Sequence, residues 1–517
     1  MPVTPEQKVD LEWALATILS RAKDYKLARD YYDGHHRLAF ATTNWRNEFG
    51  ALFSAFSDNL CPAVIAAVKN RLAVVGFSAL DEEQAEGGPR QVVRQSRPRT
   101  DRVGGDDGPA DLAWDLWDDQ RMDRRQKEVH LEALRGGASY IIVWPDPDDE
   151  NEPAFYLNRA DRVCVRYDDE RPGTIDLAAK VWIEKSKHAR VNLYYDDRIE
   201  KFRTVSTLSG GLPRKADTFE PYNPDEEDGG EVIPHALDVV PVVPFTYDAV
   251  TGEPGRSRLT DVIPIQDALN KSVADMLVAM EFHSIPQRWI VGLQTQTDPM
   301  TGKVIPPFVP GADRIWNIPD PNAKLGQFEA ANLAQFITVS DSFRAETARI
   351  SGTPLHYLLL SGTFPSGEAL RAAEAPLEAV VSDTRDSFGS SWEDAFAIGG
   401  RIRSGSDWNL STVWRETVSR GEKEHAEAVQ IKRDLGASRK QILRELGYSD
   451  AQIDAMDEEE AEEKIAKESQ FDAGLGEGAE EPTAALARLA ERPKVGTERV
   501  TRIRRNATDG SMEIVES

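Results

Sequence analysis

Two glycines, Gly362 and Gly367, have the spacing found in phosphate-binding loops, and a helix-like run follows them. Such a loop reads G-x-x-x-x-G-K-[S/T], where the lysine contacts the nucleotide phosphates and the hydroxyl binds magnesium. Here Glu368 and Ala369 occupy those two positions, so a carboxylate faces the nucleotide and no magnesium ligand is present. The stretch instead predicts a flexible loop before a helix that Ser366 caps and whose positive end suits Glu368.

Other patterns that carry catalysis or bind metals are missing from the sequence. It contains neither a G-x-S-x-G elbow nor an H-E-x-x-H helix. The cysteines, Cys61 and Cys164, lie about a hundred residues apart, which favours two buried thiols over a disulfide or a metal site. The adjacent pair His35 and His36 would point to opposite sides of most backbones. The sequence therefore predicts a protein that is not an enzyme and that uses neither a cofactor nor a metal.

Charge and hydropathy limit the environment of the chain. The 517 residues include 40% hydrophobic residues, which can form a sizeable core, and the mean hydropathy is -0.49. Because no run approaches the roughly 18 apolar residues of a spanning helix, a membrane protein is not expected. The N-terminus carries acidic residues where a secretory signal would be basic, so we expect synthesis and use in the cytoplasm.

The net charge also bears on nucleic acid. Lys and Arg number 62 against 88 Asp and Glu, a formal charge of -26. A protein that grips DNA neutralises phosphates with a basic surface. This chain would repel DNA over most of its surface, so either DNA is irrelevant to it or it handles DNA without holding on.

The first half of the chain has the pattern of a mixed α+β region. Apolar spacing predicts helices over about 5–32, 57–73 and 110–135. Short β-branched and aromatic runs predict strands from "SYIIVW" to "RVNLYY", ending near residue 205. Polar stretches at 81–109 and 223–231 predict surface loops.

The second half is dominated by long helices. Helices are predicted over 261–283 and 332–350, on either side of a strand-and-turn module at 287–331. A third is predicted over 367–398, with Pro376 inside it as the expected site of a kink. Beyond about 415 the chain predicts a charged helical hairpin, and beyond about 468 a disordered tail.

Three stretches follow one another in the chain: "YYDGHHRL", then "GRSRLTDVIPIQDALNKSVADMLVAMEFHSIPQRWIVG", then "ETARISGTPLHYLLLSGTFPSGEALRAAEAPLE". In this order they resemble portal proteins of tailed bacteriophages, of the type found in many actinobacterial siphophages. The resemblance covers roughly residues 20–460. It implies a ring, usually dodecameric, at one capsid vertex, through which double-stranded DNA is packaged and ejected. It also implies assembly in the host cytoplasm and these partners: the terminase large subunit, a head–tail connector or adaptor protein, and the major capsid and scaffolding proteins.

The same resemblance implies how the helix-rich α+β chain is divided. It assigns the N-terminal wing to 1–260, the first stem helix to 261–285, the clip to 286–331, the second stem helix to 332–353, the tunnel loop to 354–368, the kinked wing helix to 367–415, the helical crown to 416–465 and the tail to 466–517. The resemblance implies that the glycine-containing tunnel loop projects into the DNA channel.

Functional residues follow from these assignments together with residue type. The expected channel loop consists of Ser361, Gly362, Thr363, Phe364, Pro365, Ser366, Gly367 and Glu368. Expected channel-facing basic residues are Arg344, Arg349 and Arg371, for which ordinary surface salt bridges are the alternative. Apolar residues expected at the stem and subunit interface are Met276, Leu277, Met280, Phe336 and Phe343. The clip is expected to present Trp289, Arg314 and Trp316.

Three alternatives to a portal remain at this stage. An ATP-driven packaging enzyme would need the lysine that Glu368 replaces. Another capsid-associated ring or adaptor protein is usually much shorter than this chain. A cytoplasmic scaffold without a DNA role would also fit an acidic, helical C-terminal part.

Overall fold

The structure of the protein is a computed structural model. It describes residues 3–37, 39–55, 58–85, 88–96, 108–222, 231–284, 288–292, 296–302, 304–305, 324–327, 333–359, 366–415, 433, 456, 502–505 and 512–515. The chain forms two compact units, Met1–Val418 and Ser419–Ser517. Within the described ranges, no helix is long and apolar enough to cross a membrane.

The first unit mixes helices and strands throughout. Its helices are α1 (Pro5–Tyr32), α2 (Thr43–Ala55), α3 (Cys61–Lys69), α4 (Pro109–Asp119), α5 (Met122–Gly136), α6 (Val262–Ser284), α7 (Ala334–Ser351), α8 (Leu355–Leu358) and α9 (Gly367–Ser404). Its strands are β1 (Val74–Ala85), β2 (Gly88–Gln95), β3 (Ala138–Pro145), β4 (Pro153–Arg159), β5 (Val163–Tyr167), β6 (Ile175–Ile183), β7 (Ala189–Tyr194), β8 (Arg198–Thr204), β9 (Phe219–Pro221), β10 (Val232–Pro234), β11 (Val242–Thr246), β12 (Arg288–Val291), β13 (Gln296–Thr297), β14 (Val304–Ile305), β15 (Lys324–Gln327) and β16 (Leu410–Trp414).

The strands pair into several antiparallel sheets. The largest described sheet has the order β10-β8-β7-β6-β5, with β9 also paired to β8. Two further sheets have the orders β16-β1-β2 and β11-β3-β4. The pairs β12–β15 and β13–β14 lie between α6 and α7 in the chain. The mixed α+β character predicted from the first half is confirmed.

The two largest of several apolar clusters in the described residues join these helices and sheets. Helix α1 lays Leu11, Leu15 and Ile18 on the inner face of the large sheet, against Leu177, Val191 and Phe202 among others. The second core surrounds α9, whose Phe388, Trp392 and Phe396 are fully buried with α3, α4, α5 and the sheet of β3 and β11. Trp392 packs edge-on against Trp117 and Phe245, at centroid separations of 5.1 and 4.8 Å. Phe396 is tilted against Phe77 at 4.6 Å and stacked on Trp117 at 6.0 Å. Aromatic pairs favour edge-on and stacked geometries.

Several element predictions are confirmed, and others are wrong. The long helices α6, α7 and α9 occur where their apolar spacing predicts them, and α9 extends to Ser404 through Pro376. The helix predicted over 57–73 is shorter, because α3 begins after residue 60 and Pro62 occupies its first turn. The helix predicted over 110–135 is two helices, since Arg121 has a φ of 53° between α4 and α5.

The largest disagreement concerns the loop predicted over 81–109. Strands β1 and β2 pair through that region in register from Ser78–Gln95 to Ala85–Gly88. Strand β1 also pairs with β16, more than three hundred residues away in the chain. The polar sequence hid this hairpin, because neither strand shows the alternation of apolar and polar residues that marks a half-buried strand.

In the second unit the structure describes an antiparallel pair of strands, β17 (Arg502–Arg505) and β18 (Met512–Val515). The sequence predicts disorder for this tail, and paired backbone at these two strands departs from that prediction. The helical hairpin predicted after residue 415 lies outside the described residues, apart from single positions.

Candidate functional surface on the long helices

Helix α6 is amphipathic, and both its apolar and its polar side chains make contacts inside the protein. Leu269, Val273 and Ala274 are buried on its apolar stripe. Gln266 and Asn270 are also buried, although they are polar. Buried amides are tolerated only when their hydrogen bonds are satisfied, and these two bind the segment before α3. The oxygen of Gln266 accepts from the amide of Leu60 at 2.9 Å, and that of Asn270 accepts from the amide of Asp58 at 3.1 Å.

Helix α7 returns alongside α6 and completes a small apolar cluster. The cluster consists of Leu60, Leu269, Val273, Ala348 and Leu358, with Ala63, Met276 and Phe343 packed against it. Two of the predicted interface residues, Met276 and Phe343, therefore contribute to packing within the subunit. The structure brings them together, as the sequence pattern required of two helices that share an apolar face.

An apolar groove remains open beside this cluster. It measures about 480 Å³ and is lined by Phe40, Ala268, Lys271, Ser272, Asp275, Gln335, Phe336, Val339 and Phe343. Phe40 is 59% exposed and Val339 is 44% exposed. Met280, further along α6, is also exposed, while Leu277 is half-buried. Clustered apolar side chains in contact with solvent are a usual sign of an interaction surface.

The arginines expected to face a channel are largely engaged by acids of the same chain. Arg344 donates to Asp341 at 2.7 Å and to Asp58 at 2.6 Å. Arg349 is paired with Glu346 one turn away, at 2.5 Å. Arg371 lies exposed near the start of α9. Arg344 and Arg349 therefore form the ordinary salt bridges that were the alternative to a channel-facing role.

Only the two ends of the predicted tunnel loop lie within the described residues, because 360–365 fall outside them. At the far end, Ser366 caps α9 as predicted, with its hydroxyl accepting from the amide of Ala369 at 3.3 Å. Glu368 is exposed in the first turn, where the helix dipole favours a negative charge.

The helices on either side of the expected channel loop, α8 and α9, are joined by residues that the sequence did not single out. Tyr357, on α8 ahead of the expected channel loop at 361–368, donates its hydroxyl to Glu374 on α9, at 3.0 Å. Arg71 donates to the same hydroxyl at 2.8 Å and lies 3.5 Å from Glu374. Its guanidinium also lies 5.7 Å from the centre of the Tyr357 ring. Arg71 is about three hundred residues away from both partners in the chain, so no local pattern could have revealed its contacts.

Part of the predicted clip module is described. Strand β12 pairs with β15 so that Trp289 lies opposite Gly326. A methyl group at position 326 would lie 2.2 Å from the indole, so glycine is what lets the ring lie across the partner strand. The predicted turn is also present, with Asp298 accepting from the amide of Met300 at 2.9 Å. Arg314 and Trp316 lie outside the described residues.

An α+β body that carries a pair of long helices with an open apolar groove beside them has the features of an assembly component. Comparison with known proteins gives the family. The model for "Phage portal protein, SPP1 Gp6-like" matches residues 100–466, and the chain belongs to this family of portal proteins, which are structural proteins of the phage virion.

Relatives support the same assignment. The portal protein of Mycobacterium phage D29 is 28% identical over 401 residues, covering 70% of this chain and 75% of that protein. The portal protein of Mycobacterium phage L5 is 28% identical over 340 residues, covering 61% and 64% respectively. A chain from the virion of a native gene transfer agent particle aligns with 12% identity and a TM-score of 0.39, covering 75% of this chain and 89% of that one.

Proposed function

We propose that this portal protein assembles into a closed ring, a dodecamer in the usual form of the family, at one vertex of the capsid. Double-stranded DNA enters the head through the ring during packaging and leaves through it during ejection. The wing comprises 1–260 with the helix at 367–415, and the stem helices 261–285 and 332–353 form the channel wall. The clip at 286–331 docks the terminase large subunit and later a head–tail connector, while the crown at 416–465 lies inside the head with the capsid and scaffolding proteins nearby.

The open groove on the long helices is the observation that carries the ring proposal. Phe336 and Val339 present apolar surface to solvent beside a packed cluster. In a monomer, this exposure of apolar surface to water is unfavourable in free energy. Burying such surface stabilises an interface by about 25 cal/mol per Å². A cyclic ring offers every subunit the same neighbour, so one apolar face covered by the next copy satisfies all copies at once.

The charge of the chain supports a conduit rather than a DNA-binding protein. A formal charge of -26 keeps most of the surface repulsive to phosphate. Arg344 and Arg349 are paired with carboxylates, which weakens their hold on a passing duplex. Every retained phosphate contact would add friction to translocation, and these pairs limit that friction.

A substitution in the groove tests the interface. Val339→Asp places a charge at an exposed apolar position, so the fold should survive while ring formation is lost. Ala345→Asp adds the same charge to an exposed position on another face of α7 and should leave assembly unchanged. Light scattering coupled to size-exclusion chromatography measures both. Rings formed equally well by both variants would refute the groove as the interface.

A further inference from the structure

His36 lies in the turn that follows α1, within the motif "YYDGHHRL", and it contacts α6. Its ring stacks on Tyr31, with centroids 4.9 Å apart. Its Nε2 lies 3.1 Å from the carbonyl oxygen of Tyr31, and its Nδ1 lies 2.6 Å from the amide nitrogen of Asn270. Both ring nitrogens are therefore committed to partners whose chemistry can be identified.

The orientation of Asn270 is determined by a backbone group. Its side-chain oxygen accepts from the amide N–H of Asp58 at 3.1 Å, and a backbone amide can only donate. The NH₂ group of Asn270 must therefore face His36, whose Nδ1 has to accept and cannot carry a proton. The proton of the neutral ring then sits on Nε2 and is donated to the carbonyl of Tyr31.

Protonation of His36 necessarily breaks a hydrogen bond in this arrangement. A proton on Nδ1 would set two donors against each other across the 2.6 Å contact. Rotation of the Asn270 amide would relieve that conflict, but it would then point the NH₂ group at the N–H of Asp58. In either orientation one link of the chain from His36 through Asn270 to Asp58 is lost.

Asp58 is the point at which both long helices are fixed. Gln266 on α6 donates to the carbonyl of Asp58, and Arg344 on α7 donates to its carboxylate at 2.6 Å. Beside this chain, Tyr31 donates its hydroxyl to Asp267 on α6. Contacts from α1, α6 and α7 therefore meet within a few residues.

We propose that His36 and Asn270 form a protonation-sensitive relay that positions Asp58 and, through it, holds the two long helices against the N-terminal helix. The relay is a property of the single subunit, so it stands or falls independently of ring formation. Acidification would loosen the attachment of the long helices, and neutral pH would restore it.

The surrounding charges set the direction of the effect. Burial lowers the pKa of His36, against smaller opposing effects of the Tyr31 carbonyl, the Asp267 carboxylate and the Asn59 side chain, in that order. The other charged or titratable groups around this junction are His35 and Arg37 on the same turn, Asp58 and Cys61 beyond it, and Arg344 with Asp341 on α7. A histidine whose folded pKa is depressed stabilises the fold fully above its unfolded pKa of about 6.5, and this stability is lost as the pH falls toward the folded pKa. Burial raises the pKa of Asp267, which acts in the opposite direction and makes matched variants necessary.

The test compares His36→Gln with His35→Gln in the full-length protein. Glutamine can offer an acceptor to Asn270 and a donor to Tyr31, but it does not titrate. Chemical denaturation at pH 7.5 and 5.5 should show that the wild type and His35→Gln lose up to about tenfold in folding equilibrium constant per pH unit relative to His36→Gln. A His36→Gln variant with the same pH dependence as the wild type would overturn the relay.

A second variant should reverse the direction of the pH dependence of stability, and it keeps the proposal testable if His36→Gln does not fold. Asn270→Asp offers one oxygen to the N–H of Asp58 and the other to a protonated His36. Its folded state should favour the charged ring, so acidification from pH 7.5 to 5.5 should stabilise it relative to the wild type. An unchanged sign in Asn270→Asp would contradict the proposal, because a merely structural defect lowers stability at both pH values alike.

Discussion

At the scale of single residues, contacts between distant segments fix the body that carries the long helices. Arg258 is buried and donates to the carbonyl of Val64 at 3.2 Å, the hydroxyl of Tyr247 at 2.8 Å and the carbonyl of Ser351 at 2.7 Å. These acceptors lie on α3, after β11 and at the end of α7. A buried charge is tolerated when it is this fully hydrogen-bonded. Nothing in the local sequence distinguishes Arg258 from an exposed arginine.

Gly255 provides a residue-scale prediction. A methyl group on it would lie 2.0 Å from the carbonyl oxygen of Gly137 and 2.7 Å from that of Tyr247, so the two backbones would have to move apart. Gly255→Ala should destabilise the fold by about 2–3 kcal/mol, as overpacking does. Denaturant unfolding checks this against Gly210→Ala, which meets nothing within 4 Å and should change stability by no more than about 0.5 kcal/mol. Equal effects of the two variants would show that close approach is not the reason for glycine.

At the scale of elements, the sequence predicts the helices with strong apolar periodicity, but it does not predict strands that pair over long distances in the chain. Helices α6, α7 and α9 repeat apolar residues at helical spacing over several turns, and the structure has them at the predicted positions. The pair β1–β2 escaped prediction because its sequence is polar, and β1 also depends on β16, which is distant in the chain.

The candidate site shows the same division. The cap at Ser366 follows from a local rule and was predictable, since a serine beside the first turn has a defined partner. The clamp formed by Arg71, Tyr357 and Glu374 depends on the tertiary fold and was not predictable. Phe336 and Phe343, which the sequence predicts at an interface, line the groove together with Phe40, which the sequence did not single out.

The clamp at the roots of the loop gives an element-scale prediction. Tyr357→Phe removes a hydroxyl that accepts from Arg71 and donates to Glu374. The loss should cost about 1 kcal/mol, typical of such hydrogen bonds, and should speed amide hydrogen exchange in α8 and the first turns of α9. Tyr156→Phe, on the remote strand β4, is the matched control. Faster exchange in both variants, or in neither, would count against a clamp that holds α8 against α9.

At the scale of the whole molecule, family membership, charge and surface point to one role. The portal family model covers most of the chain, and the groove on the long helices is the surface that we propose a neighbouring copy covers. The acidic charge suits a passage through which DNA moves without being retained. We propose that the glycine-containing stretch around position 362, which resembles a phosphate loop in its spacing, belongs to a loop that DNA passes without being retained.

Electron microscopy of the purified full-length protein tests this account most directly. We expect closed rings of one subunit number with a central opening wide enough for a DNA duplex, and we expect Val339→Asp to yield soluble, folded monomers under the same conditions. A wild-type protein that stays monomeric at every concentration examined, or that forms rings without an opening, would contradict the proposed DNA conduit.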